Sequence, residues 1–198
     1  MKLPTIILLR HGQTVWNLEG RYQGHLNSNL TILGKAQAEE NAVKLSREMK
    51  IEKPFKLFAS PLGRARETAY IISDILGLNR EDIIFDNNLK EIHYGIFEGK
   101  SKDFCQKSYS HQFQEREEDK WYYVLEGGGE SYEMVEKRLF LWLERIKNEK
   151  YVVVVAHEMI NRALRGIYCK YERDVTLQLR QNNDIVLKLE NGEENIIE

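Results

Sequence analysis

An arginine and a histidine stand together at positions 10 and 11, where a short apolar run ends and a glycine follows. The run Thr5–Leu9 is rich in β-branched and apolar residues, which predicts a strand that carries both side chains at its carboxyl end. An arginine binds phosphate oxygens through its planar guanidinium, and a neutral imidazole is a competent nucleophile near neutral pH. Arg10 and His11 are therefore the residue types that phosphoryl transfer needs.

Two further strand ends carry groups of the same kind. The run Lys56–Ala59 is followed by Arg64 a few residues later, and the run Tyr151–Ala156 leads directly into His157. Carboxyl ends of parallel strands meet at one edge of a sheet, where helix amino ends favour anions. Taken alone, each group would more often be a surface charge or a structural histidine. Their recurrence at three junctions predicts one phosphate-sized pocket.

Strands and helices must alternate to hold these groups together. Further strands are predicted at Ile83–Phe85 and Ile185–Leu189, and the unbroken apolar run at 151–156 indicates a strand covered on both faces. Four segments repeat apolar residues at i, i+4, i+7 and i+11, which predicts helices with one buried stripe. The stripes run from Ala38 to Met49, Ala65 to Leu76, Val135 to Ile146 and Ile160 to Tyr171. The order predicts an α/β fold, a three-layer α/β/α sandwich with a mainly parallel central sheet.

Local signals mark the ends of these helices. Thr31 is expected to cap the first helix and Ser131 the third. Pro61 is expected in the first turn of the second helix, which Gly77 would end. Local sequence and apolar periodicity thus predict the same elements.

Composition limits the class of protein. The 198 residues fit a single domain spanning 1–198, in which residues 101–125 mix charged and aromatic side chains and predict a lid-like excursion. The net charge of -2 argues against nucleic acid or an anionic membrane as a partner. The two distant cysteines and the lack of a long apolar stretch predict a cytoplasmic location. We expect no metal and no cofactor, because no metal-ligand spacing occurs.

Several blocks of the chain carry a resemblance to a known family. The segment RHGQTVWN resembles the signature R-H-G-x-T-x-x-N of the histidine phosphatase superfamily, also called the phosphoglycerate mutase-like family. Later blocks of this family are matched in order by RYQGHLNSNLT, SPLGRARETA, LKEIHYGIFEG, GGGES and VVVAH. The resemblance covers nearly the whole chain and implies the phosphoglycerate mutase-like form of the α/β/α fold.

The resemblance also implies roles for individual residues. It makes His11 the nucleophile that becomes phosphohistidine, and Glu91 the proton donor, whose pKa would be raised by apolar neighbours. It also implies a phosphate clamp that consists of Arg10, Arg64 and His157. Asn17 would be an additional phosphate contact. Further substrate contacts are expected from Arg21, Gln23, His93 and Tyr94, with Trp121 and Tyr122 as candidates in the excursion.

One departure from the family pattern bears on the pocket. Glu158 stands where a glycine often follows the second histidine. A carboxylate near bound phosphate would repel it, so we expect the side chain of Glu158 to turn outward. His25 and His111 are expected to be surface residues.

Three functions remain open at this point. The leading hypothesis is a metal-independent phosphomonoesterase that hydrolyses a small phosphorylated metabolite. A phosphoglycerate mutase is the alternative, although mutases of this family usually carry a longer insertion and Ser or Thr at the position of Gln23. A catalytically inactive phosphate-binding regulatory module is the third hypothesis. The substrate stays undetermined, and an exposed edge strand near the end of the chain is compatible with a homodimer.

Overall fold

A six-stranded sheet forms the middle layer of the computed structural model, which describes residues 3–49 and 55–198. The strands are β1 Thr5–Arg10, β2 Lys56–Ala59, β3 Ile84–Phe85, β4 Tyr151–Ala156, β5 Val186–Glu190 and β6 Glu193–Ile197. Their order across the sheet is β3-β2-β4-β1-β5-β6. The strands β3, β2, β4 and β1 pair in parallel, whereas β5 runs antiparallel to both β1 and β6. The prediction of a mainly parallel α/β sheet is confirmed.

Helices cover both faces of the sheet. Their bounds are α1 Val15–Leu18, α2 Ile32–Met49, α3 Gly63–Ile75, α4 Lys102–Ser108, α5 Ser110–Glu118, α6 Tyr132–Ile146, α7 Glu158–Cys169 and α8 Arg173–Gln178. Apolar residues of α2 and α3 share one core cluster with one face of the central strands. Residues of α6 and α7 share a second cluster with the opposite face. The fold therefore has the three layers that the sequence predicts.

Burial on both faces explains the unbroken apolar strands. In β1, Ile6 and Leu8 pack toward α6 and α7, whereas Ile7 and Leu9 pack toward α2 and α3. Each of these four side chains is at most 1% exposed. Because successive side chains of a strand point to opposite faces, a strand sandwiched by helices needs apolar residues at every position.

The expected helix ends are confirmed with one exception. Thr31 Oγ1 accepts a hydrogen bond from the backbone N–H of Gly34, and Ser131 Oγ accepts one from Met134. Gly77 follows α3 with a φ of +65°, the left-handed conformation that glycine adopts without strain. The position of Pro61 was predicted wrongly, because the helix begins two residues later at Gly63.

Backbone conformation sets the corrected boundaries. Leu62 is extended, with φ -66° and ψ 138°, and its N–H donates to Ser60 Oγ, so the helix cannot begin before it. At the end of α7, Lys170 is left-handed with φ 57°, which stops the helix before the last residue of the predicted stripe, Tyr171. The side chain of Met49, which ends the first stripe, lies outside the described part of the chain.

Residues 101–125 form two short helices and a turn beside the carboxyl edge of the sheet. The side chain of Ser101 caps α4, and α5 follows at once after Tyr109. Phe113 and Tyr109 pack their rings against Phe97, which anchors the segment to the core. Among the described residues, no helix is long and apolar enough to cross a membrane.

Candidate active site

The carboxyl ends of β1, β2 and β4 bring together the groups that the sequence analysis singled out. His11 follows β1 and His157 follows β4, and their ring centroids lie 5.2 Å apart. Arg64, on the first turn of α3 beyond β2, donates from Nε to Nε2 of His11 at 3.3 Å. Adjacent parallel strands thus place two histidines and an arginine at one edge of the sheet, where helices α3 and α7 begin.

The imidazole of His11 has a defined tautomer. Its Nδ1 lies 2.7 Å from the backbone oxygen of Gly12, and because a carbonyl only accepts, Nδ1 carries the hydrogen. Nε2 therefore presents its lone pair, toward which Arg64 points. Burial lowers the pKa of His11 well below its ordinary value, and the charges of Arg64 and Arg10 lower it further. His11 is accordingly a neutral imidazole at pH 7.

The guanidinium of Arg64 is held by backbone carbonyls. Nη1 donates to the oxygen of Leu26 at 2.7 Å, and Nη2 donates to that of Gly24 at 2.8 Å. Burial lowers the pKa of Arg64 to about 10, so the group remains cationic at pH 7. Two neutral acceptors orient the cation without cancelling its charge, which leaves it available to an anionic ligand.

Arg10 is fixed from the other side of the site. Its Nη1 donates to the backbone oxygen of Gln181 at 2.9 Å, while its buried Nε has no hydrogen-bond partner in the described part of the chain. The buried Nδ1 of His157 also lacks a partner there, because the contact of this ring to Ser60 uses Nε2. Burial and the charge of Arg64 lower the pKa of His157 well below its ordinary value.

Glu91 is a buried carboxyl between the sheet edge and α7. Its Oε1 accepts from the backbone N–H of Ile92 at 3.0 Å, and its Oε2 accepts from that of Met159 at 3.5 Å. Burial raises the pKa of Glu91, and the charge of Arg64 partly offsets this effect. Tyr94, which interacts with Glu91, is buried, and so are Ile92 and Phe97 in the same segment, which fits the expected apolar setting.

A cavity of about 440 Å³ opens at these groups. Eight predicted site residues line it, namely Arg10, His11, Asn17, Arg21, Gln23, Arg64, Glu91 and Tyr94. Asn17 accepts at Oδ1 from the backbone N–H and hydroxyl of Thr14, both at 3.0 Å, which orients its amide. Arg21 is exposed and donates to the oxygen of Gly99, whereas Gln23 is buried.

The structure does not bring two of the predicted residues to the cavity wall. The ring of His157 lies beside that of His11 but is fully buried and does not line the cavity. His93 accepts at Nδ1 from the backbone N–H of Gly95 and packs edge-on against the ring of His25, with centroids 4.7 Å apart. A substrate contact by His93 stays a prediction without a supporting contact.

Glu158 does not turn outward, so that expectation is wrong. Its Oε2 lies 3.1 Å from Nη1 of Arg10, and its Oε1 lies 3.3 Å from Nη2 of Arg162, inside the cavity wall. The two guanidinium groups attract the carboxylate, and its place in the first turn of α7 favours a negative charge. The position of Glu158 next to His157 in the sequence predicted that its carboxylate would repel bound phosphate. The sequence did not show that Arg10 and Arg162 lie within reach of this carboxylate.

His25 is likewise not a plain surface residue. Its side chain is half-buried, and Nε2 lies 2.9 Å from the backbone oxygen of Glu91. Arg138 on α6 donates from Nη2 to the same oxygen at 3.3 Å. These two side chains support the backbone of Glu91 from behind, a role that no local sequence signal indicates.

Five cations that were not among the predicted site residues also line the cavity. They are Lys102, Arg116, Lys120, Arg162 and Arg180. The segment 101–125 supplies three of these, and the guanidinium carbon of Arg116 lies 5.2 Å from the ring centroid of Tyr94. Trp121 instead stacks on Tyr132 at 5.7 Å and does not line the cavity.

Comparisons with known proteins identify one family to which the chain is similar. The family model of the histidine phosphatase superfamily (branch 1) matches residues 6–196. A probable 2-carboxy-D-arabinitol-1-phosphatase of Arabidopsis thaliana is 36% identical over 80% of this chain, which spans only 32% of that protein. A metal-independent phosphoserine phosphatase of the same plant is 35% identical over 82% of this chain and 68% of its own length. A mycobacterial glucosyl-3-phosphoglycerate phosphatase, solved with VO3, superposes with a TM-score of 0.80 and 27% identity, covering 98% of this chain and 96% of its own.

Proposed function

Because this chain belongs to branch 1 of the histidine phosphatase superfamily, we propose that it is a metal-independent phosphomonoesterase acting on a small phosphorylated metabolite. One observation carries the proposal: a neutral His11, with its Nε2 lone pair free of a proton, lies beside two cationic arginines in one cavity. The similarity to phosphatases over four fifths of the chain supports the same activity.

The first step forms a phosphohistidine. His11 Nε2 attacks phosphorus, and the bond from phosphorus to the ester oxygen breaks with its electron pair on that oxygen. The Arg64 Nε donor, now 3.3 Å from Nε2, exchanges this acceptor for a phosphate oxygen. Glu91 gives its proton to the departing alcohol, which requires a carboxyl whose pKa is raised, as burial raises that of Glu91.

The second step releases inorganic phosphate. Water attacks the phosphorus of phosphohistidine, the P–N bond breaks, and the electron pair returns to Nε2. Glu91, now a carboxylate, takes the proton of the attacking water and is restored as an acid. Arg64, which is buried, and Arg10, which is partly buried, stabilise the charge on the equatorial oxygens in both steps, since a cation shielded from water acts more strongly than an exposed one.

The cavity favours a small and strongly anionic ester. Its volume of about 440 Å³ suits a metabolite rather than a macromolecule. Six cations besides Arg10 and Arg64 line it, against two carboxylates besides Glu91. A phosphate group alone leaves this positive charge uncompensated, which favours a substrate with a second anionic group. Phosphoserine and 3-phosphoglycerate have this chemistry.

The wider setting of the protein is part of the proposal. We propose that residues 1–198 form one domain, with 101–125 as the lid over the leaving group, because Phe113 and Arg116 of this segment line the cavity. The free thiols of Cys105 and Cys169 fit a reducing compartment, such as the cytoplasm. The homodimer stays a prediction.

Two alternatives remain useful as outcomes of a test. A phosphoglycerate mutase would return the phosphoryl group to a second hydroxyl instead of to water. A phosphate-binding module would need the clamp but neither a nucleophile nor an acid. The presence of His11 beside Glu91 in one cavity favours turnover over binding alone.

Phosphate release in the presence of EDTA tests the proposal. The panel holds p-nitrophenyl phosphate, phosphoserine, 3-phosphoglycerate, ribazole phosphate and sugar phosphates, alongside a coupled mutase assay. We expect phosphate release with EDTA present, fastest from esters with a second anionic group. Loss of activity in EDTA would refute the metal-free mechanism. Interconversion of phosphoglycerates without release would indicate the mutase, and no turnover in either assay would indicate the binding module.

A further inference from the structure

The carboxylate of Glu158 occupies a position where a phosphate ligand would compete with it. Its Oε2 lies 3.1 Å from Nη1 of Arg10, whose adjacent Nε is buried and without a partner in the described part of the chain. Glu158 is also the first residue of α7, so it sits in the positive potential of a helix amino end. Arg10 and the amino end of α7 would both attract a phosphate group, and both already interact with the carboxylate of Glu158.

We propose that Glu158 is a positioning residue that competes with phosphate for Arg10 and thereby limits the affinity for the phosphate product. The inference rests on the proposed function. A product that carries two negative charges would otherwise be held by Arg10 and Arg64 together. A carboxylate attached to the cavity wall is a permanent competitor, which takes Arg10 back as phosphate leaves.

Arg162 allows this exchange without leaving a carboxylate unpaired. Its Nη2 lies 3.3 Å from Oε1 of Glu158, while its Nε donates to the backbone oxygen of Leu179 and its Nη1 to the hydroxyl of Tyr132. These two other bonds fix Arg162 in place. When phosphate takes Arg10, Glu158 keeps one cationic partner, so the exchange does not strand a charge in a partly buried site.

A second effect of Glu158 follows from its closeness to Glu91. The backbone N–H of Met159, the residue after Glu158, lies 3.5 Å from Oε2 of Glu91. The negative charge of Glu158 raises the pKa of Glu91, in addition to the larger effect of burial. The other titratable or charged groups that face Glu91 are Arg10, Arg64, Tyr94, Tyr132, His25 and Arg138. The two arginines of the clamp favour the carboxylate, so Glu158 acts against them.

Glu158→Gln tests both effects, because it removes the charge and keeps the shape. We expect inorganic phosphate to bind roughly fivefold more tightly at pH 7, measured as the inhibition constant against p-nitrophenyl phosphate and directly by calorimetry. The basic limb of the kcat/KM profile should move to lower pH, because Glu91 loses a neighbour that raises its pKa. An altered packing alone would not shift this limb.

Glu117→Gln is the matched control. Glu117 also lines the cavity and pairs with Lys120 at 2.7 Å and Arg116 at 3.3 Å, away from Arg10. Glu117→Gln removes the same charge from the same cavity as Glu158→Gln does, but we expect it to change phosphate affinity less than twofold. If both variants changed phosphate affinity equally, the cause would be the total charge of the cavity and not competition for Arg10. That result would overturn the proposal.

Arg162→Gln provides a test of opposite sign. Without Arg162 the carboxylate of Glu158 has Arg10 as its remaining cationic partner, and phosphate should bind more weakly. In the double variant Glu158→Gln with Arg162→Gln most of this loss should disappear, whereas additive effects would mean that Arg162 binds phosphate independently of Glu158.

Failure of the inference is distinguishable from failure of the proposed function. A wild-type protein that turns over no ester refutes the phosphatase, but calorimetry with inorganic phosphate still compares the variants. An active enzyme in which Glu158→Gln changes neither phosphate affinity nor the pH profile refutes the role of Glu158 alone.

Discussion

Ser60 Oγ lies 2.7 Å from Nε2 of His157, where the neighbouring strands β2 and β4 end. The backbone N–H of Leu62 donates to the same oxygen at 3.3 Å, so the hydroxyl hydrogen of Ser60 is free to be donated to Nε2. A neutral His157 then carries its hydrogen on Nδ1, which is buried and has no partner among residues 3–49 and 55–198. Ser60 thus favours the tautomer of His157 that leaves a hydrogen on Nδ1, the donor that the proposed phosphate clamp would require.

Ser60→Ala should lower kcat/KM about tenfold, a magnitude typical of a side chain that orients a functional histidine. Without the hydroxyl, Nε2 of His157 loses its donor and the tautomer is no longer fixed. The measurement is kcat/KM for p-nitrophenyl phosphate together with the thermal unfolding midpoint. Ser73→Ala is the control, because Ser73 is also buried but bonds to Leu78 at the far end of α3. Similar losses of activity in both variants would contradict this role of Ser60.

Glu91→Gln should slow esters with poor leaving groups far more than p-nitrophenyl phosphate. A glutamine cannot donate a proton to the departing oxygen, and p-nitrophenolate hardly needs one. We expect a loss of roughly 100-fold or more for a sugar phosphate or phosphoserine, within the usual range of general acid catalysis. The two substrates are compared on the same variant, so a loss of folded protein cannot mimic the result. Equal slowing of both would remove Glu91 from the acid role.

The fold was predictable from sequence where one local pattern decided the structure. The unbroken apolar run at 151–156 indicates a strand that is buried on both faces. Each of the four helical stripes indicates a helix that is buried on one face. Both patterns can be read within a single segment of the sequence. Strand ends also placed Arg10, His11 and Arg64 at one edge, because parallel strands share a direction. These predictions needed no knowledge of which elements are neighbours.

Contacts between distant segments were not predictable in this way. The position of Glu158 depends on Arg10, and the burial of His25 depends on the backbone of Glu91, far along the chain in both cases. The hairpin strand β6 was also missed, since Glu193–Ile197 begins with three polar residues. Its turn, Asn191 and Gly192, has positive φ at both residues, and this Asn-Gly pair was the available signal.

Acidification should destabilise the protein through its two buried histidines. Burial lowers the pKa of both His11 and His157 below 6.5, so the unfolded chain binds more protons than the folded one below that pH. The free energy of unfolding should therefore fall by about 1 kcal/mol per pH unit for each histidine as the pH drops below 6.5. Glu91, whose pKa is raised, opposes this trend above pH 4.5, because protonation stabilises the folded state there.

Comparing variants isolates the histidine contribution. In His11→Asn the stability lost between pH 7 and pH 5 should be smaller than in the wild type, as measured by urea unfolding at each pH. His111→Asn serves as the control, since the side chain of His111 is 80% exposed. An unchanged pH dependence in His11→Asn would contradict a neutral, buried His11.

Gly12→Ala should unfold or strongly destabilise the loop that carries the proposed nucleophile. A Cβ at Gly12 would lie 2.0 Å from the backbone oxygen of Gly34, and neither backbone can yield as a flexible side chain could. We expect a loss of roughly 3 kcal/mol in the free energy of unfolding, at the upper end for overpacked sites. Gly20→Asn is the control: apart from its two chain neighbours, no atom of residues 3–49 and 55–198 lies within 4 Å of a Cβ placed at Gly20, and asparagine tolerates the φ of +63°. Retention of wild-type stability in Gly12→Ala, measured by urea unfolding, would mean that the close approach of Gly12 and Gly34 is not required for the loop.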